Sequence, residues 1–268
     1  MAIWDVLSNS RIIDLSVIVS SDLPASWPTH MAFTSKVWNY YTELAERQGS
    51  VASAGPYQTR FWLVDEHCGT HFDAPTHFIP PPDSGLPWAN ELGLQTGERV
   101  PVRDLMGPAV VVDVSHLAGQ GAAGESPWIT ADHLRDWEAR HGQIQAGEVV
   151  LLYTKWDEHY VVGEKGDAYC RGPLVHKRGP GWPAPNVEAV LYLHERGVRC
   201  LGIDAPSIGA THDGVPAHQE GLSRGMRYVE LLTGLNALPA RGAYFIFLPV
   251  KVAGATGGPG RAIALLQS

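Results

Sequence analysis

The stretch HCGTHFDAPTH, residues 67–77, places three histidines and one aspartate within eleven consecutive positions. His67 and His71 have the i, i+4 spacing of helical zinc sites, but Gly69 between them and Pro75 beyond them disfavour a helix. No glutamate follows His67, so the HExxH motif of helical metalloproteases is absent. The segment is therefore expected to be extended and bent, not helical.

An extended chain brings the polar candidates to one side, because side chains two residues apart share a face. The residues on that side are His67, His71, Asp73 and His77. A straight strand would spread them over roughly 33 Å at about 3.3 Å per residue, too far for one site, so the chain has to bend at Gly69 and Pro75. Imidazoles and a carboxylate suit Zn²⁺ or Mn²⁺. The pattern favours a metal-binding turn over a strand of solvated or hydrogen-bonded histidines, and it turns Cys68 to the opposite face.

A second group of polar residues lies far along the chain, in DAPSIGATHDGVPAHQEGL (204–222) and YVELLTGL (228–235). Its candidates are His212, His218 and Glu230. Taken one at a time, each is an ordinary polar residue, and only proximity to the first group would give it a role. A joined site requires the helix or loop that carries YVELLTGL to pack beneath the histidine motif.

The composition is that of a globular protein and excludes several partners. Its 268 residues are 44% hydrophobic and 18% charged, which allows a substantial core. The net charge of −8 and the pI near 5.8 argue against nucleic acid or an anionic membrane surface as a partner. We expect a small-molecule substrate instead.

Cysteine usage and hydropathy indicate a cytoplasmic protein. Cys68, Cys170 and Cys200 are odd in number, widely separated and without a CxxC pair, which fits a reducing compartment. The segment MAIWDVLSNSRIIDL lacks the basic and apolar regions of a secretory signal. The longest apolar runs are too short to span a bilayer.

Hydrophobic patterns predict a mixed α/β sheet in a single domain that spans residues 1–268. Runs of strand length occur at residues 11–20, 57–66, 109–115, 148–156, 199–207 and 243–252. Thr130 and Asn186 can cap two helices, which Gly142 and Gly197 end.

Other segments are expected to be short or irregular. FIPPPDSGLPW (78–88) cannot form regular structure. The glycine-rich GATGGPGR (254–261) lacks the GK[ST] of a phosphate loop and is expected to be a loop near the site. The polar stretch TELAERQGS (42–50) predicts a short helix in an irregular N-terminal arm, which is suited to packing on a neighbouring subunit.

The motif HCGTHFDAPTH resembles the HxGTHxDxPxH signature of the metal-dependent cyclase-like hydrolases, the group that contains bacterial kynurenine formamidase and isatin hydrolase. GEVVLLYTKWDEHY is similar to a strand of that family that ends in a Thr-x-Trp turn, and GIDAPS, PAHQEGL and VELLTGL are similar to its C-terminal metal segment. The resemblance implies a swivelling β/β/α fold, a homo-oligomer (dimer or tetramer), and one or two Zn²⁺ or Mn²⁺ ions.

The same resemblance implies a role for each motif residue. The residues implied as metal ligands are His67, His71, Asp73, His218 and Glu230. His77 corresponds to the histidine that transfers protons, and Glu230 either holds a metal or hydrogen-bonds the nucleophilic water. The glutamate at this last position favours the formamidase-like pattern over members that have glutamine there.

These residue types can hydrolyse an amide, lactam or ester bond of a small aromatic or cyclic substrate. A bound metal lowers the pKa of water from about 15.7 to about 7, and a general acid–base such as His77 contributes about 10²–10⁴-fold. No GxSxG elbow is present, which disfavours an acyl-enzyme. Two alternatives stay open: a metal-dependent lyase or cyclase, and a non-catalytic metal-binding protein.

Aromatic residues of the arm and around the motif suggest a pocket for a flat ring. They are Trp27, Phe33, Trp38, Trp62, Phe78 and Trp88. Lys155, Arg178 and Arg224 could each pair with a substrate carboxylate, although a solvated surface position is the more common role for such residues.

Overall fold

A computed structural model describes residues 3–41 and 55–267 of the chain. The strands are β1 (Ser10–Asp14), β2 (Thr34–Tyr40), β3 (Gln58–Leu63), β4 (His71–Asp73), β5 (Met106–Asp113), β6 (Trp128–Ile129), β7 (Val149–Tyr153), β8 (Ala184–Pro185), β9 (Cys200–Ile203), β10 (Arg227–Glu230), β11 (Arg241–Pro249) and β12 (Gly257–Gln267). The helices are α1 (Ile3–Ser8), α2 (Ala131–His141), α3 (Arg171–Leu174), α4 (Val187–Glu195) and α5 (Val215–Leu222). The helix predicted at residues 42–50 lies outside the described residues.

Short 3₁₀ helices connect these elements. They are Pro75–His77, Glu91–Leu94, Gly97–Arg99, Val102–Leu105, Ser115–Leu117, Trp156–His159, Gly163–Ala168 and Leu235–Ala237. No helix in the described residues is long and apolar enough to cross a membrane.

The central sheet closes into a barrel through the short strand β4. The strand order is β1-β12-β11-β5-β7-β9-β10-β4, and β4 pairs with β12 as well as with β10. Strands β5, β7, β9 and β10 are parallel neighbours, and the helices α2, α4 and α5 lie in the connections between them. Parallel neighbours require such crossovers. The predicted mixed α/β sheet is confirmed.

Hydrophobic residues fill both faces of the parallel strands, as expected for strands covered on two sides. β7 reads VVLLY, and its first four residues are buried. Val150 and Leu152 pack with the helices, whereas Val149 and Leu151 pack inside the barrel with Phe245. Strand β11 instead alternates buried and exposed residues, because only its inner face is covered.

Both predicted helices are confirmed, with their caps. Thr130 precedes α2, whose end is marked by Gly142 at a φ of +86°. The side chain of Asn186 accepts a hydrogen bond from the backbone N–H of Ala189 at 2.9 Å, and Gly197 follows α4 at a φ of +80°.

The predicted strands form near their expected positions, with one clear error. The prediction of a strand over residues 11–20 is wrong beyond Asp14. There the backbone N–H of Val17 donates to the Thr70 hydroxyl at 2.9 Å and not to a neighbouring strand. Residues 78–88 contain no helix or strand, as predicted. GATGGPGR is only partly a loop, because β12 begins at Gly257 within it and pairs with β4.

The N-terminal arm combines irregular chain with a hairpin. Residues 17–33 contain no helix or strand, and the arm continues in the antiparallel pair β2–β3. The hairpin is a separate two-stranded sheet, and every residue of β3 is exposed.

Candidate metal centre

The histidine motif bends at the glycine and the proline predicted for that purpose. Gly69 has a φ of +64°, and a Cβ there would lie 2.4 Å from Cγ2 of Val19. A side chain at this position is therefore disfavoured both by the backbone conformation and by the contact with Val19. Pro75 occupies the first turn of the 3₁₀ helix that carries His77. Between the two bends, β4 fixes His71 and Asp73 in the barrel wall.

Strand pairing brings Glu230 to the motif. In the antiparallel pair of β10 and β4, Glu230 lies directly opposite His71. The expectation that a helix or loop carries YVELLTGL is therefore wrong for its first residues, which form β10. The run pairs on one side with β9 and on the other with β4, and this inserts the glutamate into the barrel wall.

Helix α5 supplies His218 from above the strands. Its Nδ1 donates to the backbone carbonyl of Gly214 at 2.7 Å, which leaves Nε2 for the cluster. His71 is oriented in the same way, because its Nδ1 donates to the carbonyl of Gly69 at 2.8 Å. Gly209 permits the close approach of α5, since a Cβ there would lie 2.8 Å from Cε1 of His218.

Asp73 lies at the centre of two overlapping groups of side chains. Its Oδ1 is 2.9 Å from Nδ1 of His67 and 3.6 Å from Nε2 of His71, and its Oδ2 is 3.6 Å from Nε2 of His218. Glu230 places Oε2 3.5 Å from Nε2 of His71 and Oε1 3.3 Å from Nε2 of His218. In each group the candidate ligand atoms lie within 4.8 Å of one another, and all five residues are buried.

Two observations fit a divalent metal ion in this cluster. Within the described chain, Oδ2 of Asp73 is a buried oxygen with no hydrogen-bond partner. Leaving a carboxylate oxygen buried and unpaired costs free energy of folding. Burial raises the pKa of Asp73, but in acid the charges of the protonated His77, His67 and His71 outweigh it and hold the pKa well below its usual range. Burial and Asp73 raise the pKa of Glu230, but hydrogen bonds from His218 and His71 outweigh them and lower it. Two ionised, buried carboxylates beside imidazoles match the ligand preferences of Zn²⁺ and Mn²⁺.

The loop after β9 anchors Glu230. The backbone N–H of Ile208 donates to Oε1 of Glu230 at 2.7 Å, and the Ser207 hydroxyl donates to the same oxygen at 3.2 Å. Oε2 is thereby left facing His71. Ser207 closes the GIDAPS segment, but a lone serine gave no signal that would have identified it as a support.

Two segments singled out in the sequence meet close to this loop. Asp204 of GIDAPS accepts hydrogen bonds at 2.9 Å from the backbone N–H groups of Thr154 and Lys155, in the Thr-x-Trp turn. Burial raises the pKa of Asp204 to about 7, against the hydrogen bonds that favour its charged form. This contact fixes the end of β7 against the end of β9, from which the loop with Ser207 leaves.

His77 lines an open cavity beside the cluster, as His67, His71, His218 and Glu230 also do. Its ring stacks on His67 with centroids 3.9 Å apart. Among the described residues, neither ring nitrogen of His77 has a hydrogen-bond partner, so both are free for a ligand. Burial is the main cause that lowers the pKa of His77 to about 4, which leaves a neutral imidazole near pH 7.

The cavity has a volume of about 300 Å³ and is mostly apolar. Trp27 and Phe78 line it, as predicted, and so do Leu174 and Pro206. The other predicted aromatic residues are not on its wall: Phe33, Trp38, Trp62 and Trp88. Trp38 and Trp62 lie exposed on the hairpin, and Phe33 lines an adjoining cavity of about 280 Å³ that also carries Arg171.

Lysine and arginine are absent from the described residues that line the main cavity. The three predicted carboxylate partners are paired elsewhere: Lys155 with Glu158, Arg178 with Asp167 and Arg224 with Glu220. His212 also lies outside the cluster, where its Nδ1 accepts a hydrogen bond from the backbone N–H of Ser126 at 3.1 Å. Sequence reasoning missed Ser207, Cys170 and Tyr169 on the cavity wall.

Comparisons with known proteins indicate one family for this chain. The sequence model of the Cyclase family, described as "Putative cyclase", matches residues 13–210. Isatin hydrolase of Roseibium aggregatum is 35% identical over 220 residues, which cover 80% of this chain and 77% of the relative. Kynurenine formamidase of Bacillus mycoides is 26% identical over 259 residues, which cover 96% of this chain and 98% of the relative.

A solved structure supports the same relationship. Isatin hydrolase A from Labrenzia aggregata, bound to benzyl benzoate, matches with a TM-score of 0.78 at 27% identity, over 98% of this chain and 96% of that one. The predicted family, fold and class of metal-dependent hydrolase are thereby confirmed. With a family match over residues 13–210 and a relative at 35% identity, the chain belongs to the cyclase family.

Proposed function

We propose that this protein is a Zn²⁺- or Mn²⁺-dependent amidohydrolase that opens the lactam ring of a small, flat, uncharged substrate. The observation that carries the proposal is the position of His77. Its imidazole stacks on His67 and lines the cavity next to the candidate ligands, four of which line it as well, and within the described chain it has no hydrogen-bond partner. In a histidine with a purely structural role, the ring nitrogens would be expected to form hydrogen bonds with other protein groups.

The five clustered residues would hold the metal. His67, His71 and Asp73 form one ligand group, and Asp73, His218 and Glu230 form the other. A bound divalent ion would supply a water of lowered pKa and polarise the scissile carbonyl. Two ions per chain would make Asp73 a bridging ligand, whereas one ion would leave Glu230 in the same shell or hydrogen-bonded to the nucleophilic water.

His77 would move the proton that the reaction requires. A neutral imidazole accepts a proton from the attacking water and returns it to the nitrogen of the amide bond as that bond breaks. The burial that lowers the pKa of His77 favours this neutral starting form. Glu230 is fixed through Oε1 by Ile208 and Ser207, so its other oxygen is available on the side of the cluster.

The cavity favours a neutral ring over an amino-acid substrate. Trp27 and Phe78 offer apolar ring surfaces next to the cluster, and the volume of about 300 Å³ suits a small bicyclic compound. Among the residues described on this wall there is no lysine or arginine to pair with a substrate carboxylate. Isatin, the substrate named for one relative, meets these requirements better than N-formylkynurenine does.

A substrate panel tests the proposal. Metal-stripped protein is reconstituted with Mn²⁺ or Zn²⁺ and assayed with isatin, N-formylkynurenine and a simple lactone. We expect metal-dependent turnover with the highest kcat/KM for isatin. Stoichiometric metal without turnover of any of the three would refute the proposal. Incorporation of ¹⁸O from labelled water into the product distinguishes hydrolysis from the alternative lyase or cyclase reaction.

The protein is also proposed to be a homo-oligomer, a dimer or a tetramer. The hairpin β2–β3 exposes large apolar side chains, with Trp38 at 55% and Trp62 at 68% relative exposure. Apolar surface of this kind marks protein–protein contacts. A molecular mass measured by light scattering above that of one 29.1 kDa chain is the expected result.

A cytoplasmic location is the last part of the proposal. The free thiols of Cys68, Cys170 and Cys200 are all buried, and burial raises the pKa of each. Such thiols are typical of reducing compartments. Fractionation of cells that express the protein tests the location.

A further inference from the structure

A chain of hydrogen bonds runs from the outside of the cluster to His67. The backbone N–H and the hydroxyl of Thr256 both donate to Oε2 of Glu66, at 2.8 and 2.6 Å. The same hydroxyl oxygen lies 3.0 Å from Nε2 of His67. Neither Glu66 nor Thr256 lines the cavity or belongs to the two groups of candidate ligands.

The donor and acceptor roles in this chain are fixed by chemistry. A carboxylate only accepts, so the single hydroxyl proton of Thr256 is directed to Glu66. The hydroxyl oxygen can then only accept from His67, which requires the ring to carry its proton on Nε2. Nδ1 of His67 is left with a lone pair that points at Oδ1 of Asp73, 2.9 Å away. Two facing acceptors at this distance need a positive charge between them, which a bound metal ion supplies and which a proton on Nδ1 supplies in its absence.

We propose that Glu66 and Thr256 are positioning residues that hold His67 in the orientation in which Nδ1 binds the metal. The inference rests on the proposed metal-dependent function and assigns His67 a different coordinating nitrogen from His71 and His218. Their Nδ1 atoms donate to backbone carbonyls, so both present Nε2. Outer partners of this kind typically contribute 10–100-fold to metal affinity.

The C-terminal segment is built to keep Thr256 in place. The carbonyl of Thr256 accepts from the backbone N–H of Ala74 at 2.9 Å, and the carbonyl of Ala255 accepts from Gly97 at 2.7 Å. Gly257 follows, where a Cβ would lie 2.8 Å from Cε1 of His67 and 2.3 Å from the carbonyl oxygen of Phe72. The segment therefore touches the ligand ring along its edge as well as through the hydroxyl.

Metal titration of variants tests the inference. Thr256→Val keeps the side-chain shape but removes the hydroxyl, and we expect it to bind Mn²⁺ or Zn²⁺ about 10–100-fold more weakly in calorimetry of metal-stripped protein. Thr256→Ser retains the hydroxyl and should restore an affinity near that of the parent protein. Glu66→Leu, which removes the acceptor of the Thr256 hydroxyl proton, provides a second test if Thr256→Val does not fold, and it should also weaken binding.

Thr130→Val is the matched control, because it removes a hydroxyl at the cap of α2, remote from the cluster. It should lower the thermal stability without changing metal affinity. A Thr256→Val or Glu66→Leu variant that binds metal as tightly as the parent overturns the inference alone. A parent protein that binds no divalent metal overturns both the inference and the proposed function.

In the zinc-loaded protein, ¹⁵N spectra should place the remaining ring proton of His67 on Nε2, and a proton on Nδ1 would also overturn the inference.

Discussion

The two halves of the candidate metal centre reach the same place by different routes. His67, His71 and Asp73 come from one bent segment, and a single glycine and a single proline determine its shape. His218 comes from helix α5 and Glu230 from strand β10, and both need the complete barrel to approach the motif. The first half is a local structure, and the second is a product of the tertiary fold.

The two halves of the centre also differ in the residues that hold their side chains in place. The loop after β9 fixes the distant half, with Ile208 and Ser207 bonded to Glu230. The local half depends on a partner from the far end of the sequence, because Thr256 contacts His67 across 189 positions. A motif whose residues are close together in sequence therefore still depends on a distant segment to hold its side chains in place. The comparison predicts that damage to Asp73, which both halves share, is the most severe.

Asp73→Ala is expected to abolish metal binding and activity together. The substitution removes the carboxylate common to both ligand groups and leaves the surrounding imidazoles without their central anion. Elemental analysis and the isatin assay measure the two effects. Asp83→Ala, on the exposed proline-rich segment, is the control and should retain both. Stoichiometric metal in Asp73→Ala would show that Asp73 is not a metal ligand.

His77→Ala should separate chemistry from metal binding. If His77 moves protons and does not hold the ion, the variant keeps most of its metal while kcat falls by about 10²–10⁴-fold. His176→Ala removes an exposed histidine and should behave like the parent protein. Loss of metal equal to that in His71→Ala would instead make His77 a ligand and extend the local half of the centre.

The sequence predicted the local half well for physical reasons. Side-chain alternation and the two bending residues depend only on neighbours along the chain, so the shared face and the bends at Gly69 and Pro75 could be derived from spacing. The two helices were predictable because Thr130 and Asn186 cap them locally. The family resemblance then predicted His218 and Glu230 as ligands, and the structure places both beside Asp73, where no local pattern would have placed them.

The supports of the centre could not be predicted, because they depend on pairing between distant segments. The first residues of YVELLTGL form a strand only because β9 and β4 flank them, and the start of β12 at Gly257 depends on β4 in the same way. Exposed aromatic residues of the hairpin look like a pocket wall in sequence, although Trp62 lies away from the cavity. Hydrophobic content does not reveal which surface a residue faces.

Two neighbouring glycines provide a finer test of how far the local half depends on the C-terminal segment. A Cβ at Gly257 would lie 2.3 Å from the carbonyl oxygen of Phe72, whereas at Gly258 its closest contact is 3.3 Å from the carbonyl oxygen of Val250. We expect Gly257→Ala to lower the free energy of unfolding by about 1–3 kcal/mol. It should also weaken metal binding, because the methyl group presses on His67. Gly258→Ala should show a smaller loss of stability and unchanged metal affinity. Equal effects in the two variants would show that the contact with His67 has no special importance.

The smallest effect is expected at Cys68, the residue between the first two histidines. Its side chain is fully buried, with Sγ 3.6 Å from the Ser26 hydroxyl, and it belongs to neither group of candidate ligands. Burial raises the pKa of this thiol, which disfavours the thiolate that would bind a metal. Cys68→Ser preserves the size of the side chain and its polar contact with Ser26, so metal content and kcat should match those of the parent. A change in stability of no more than about 1 kcal/mol is expected from the altered hydrogen bond. Metal loss comparable to that of His71→Ala would contradict this and place a sulfur ligand in the local half of the centre.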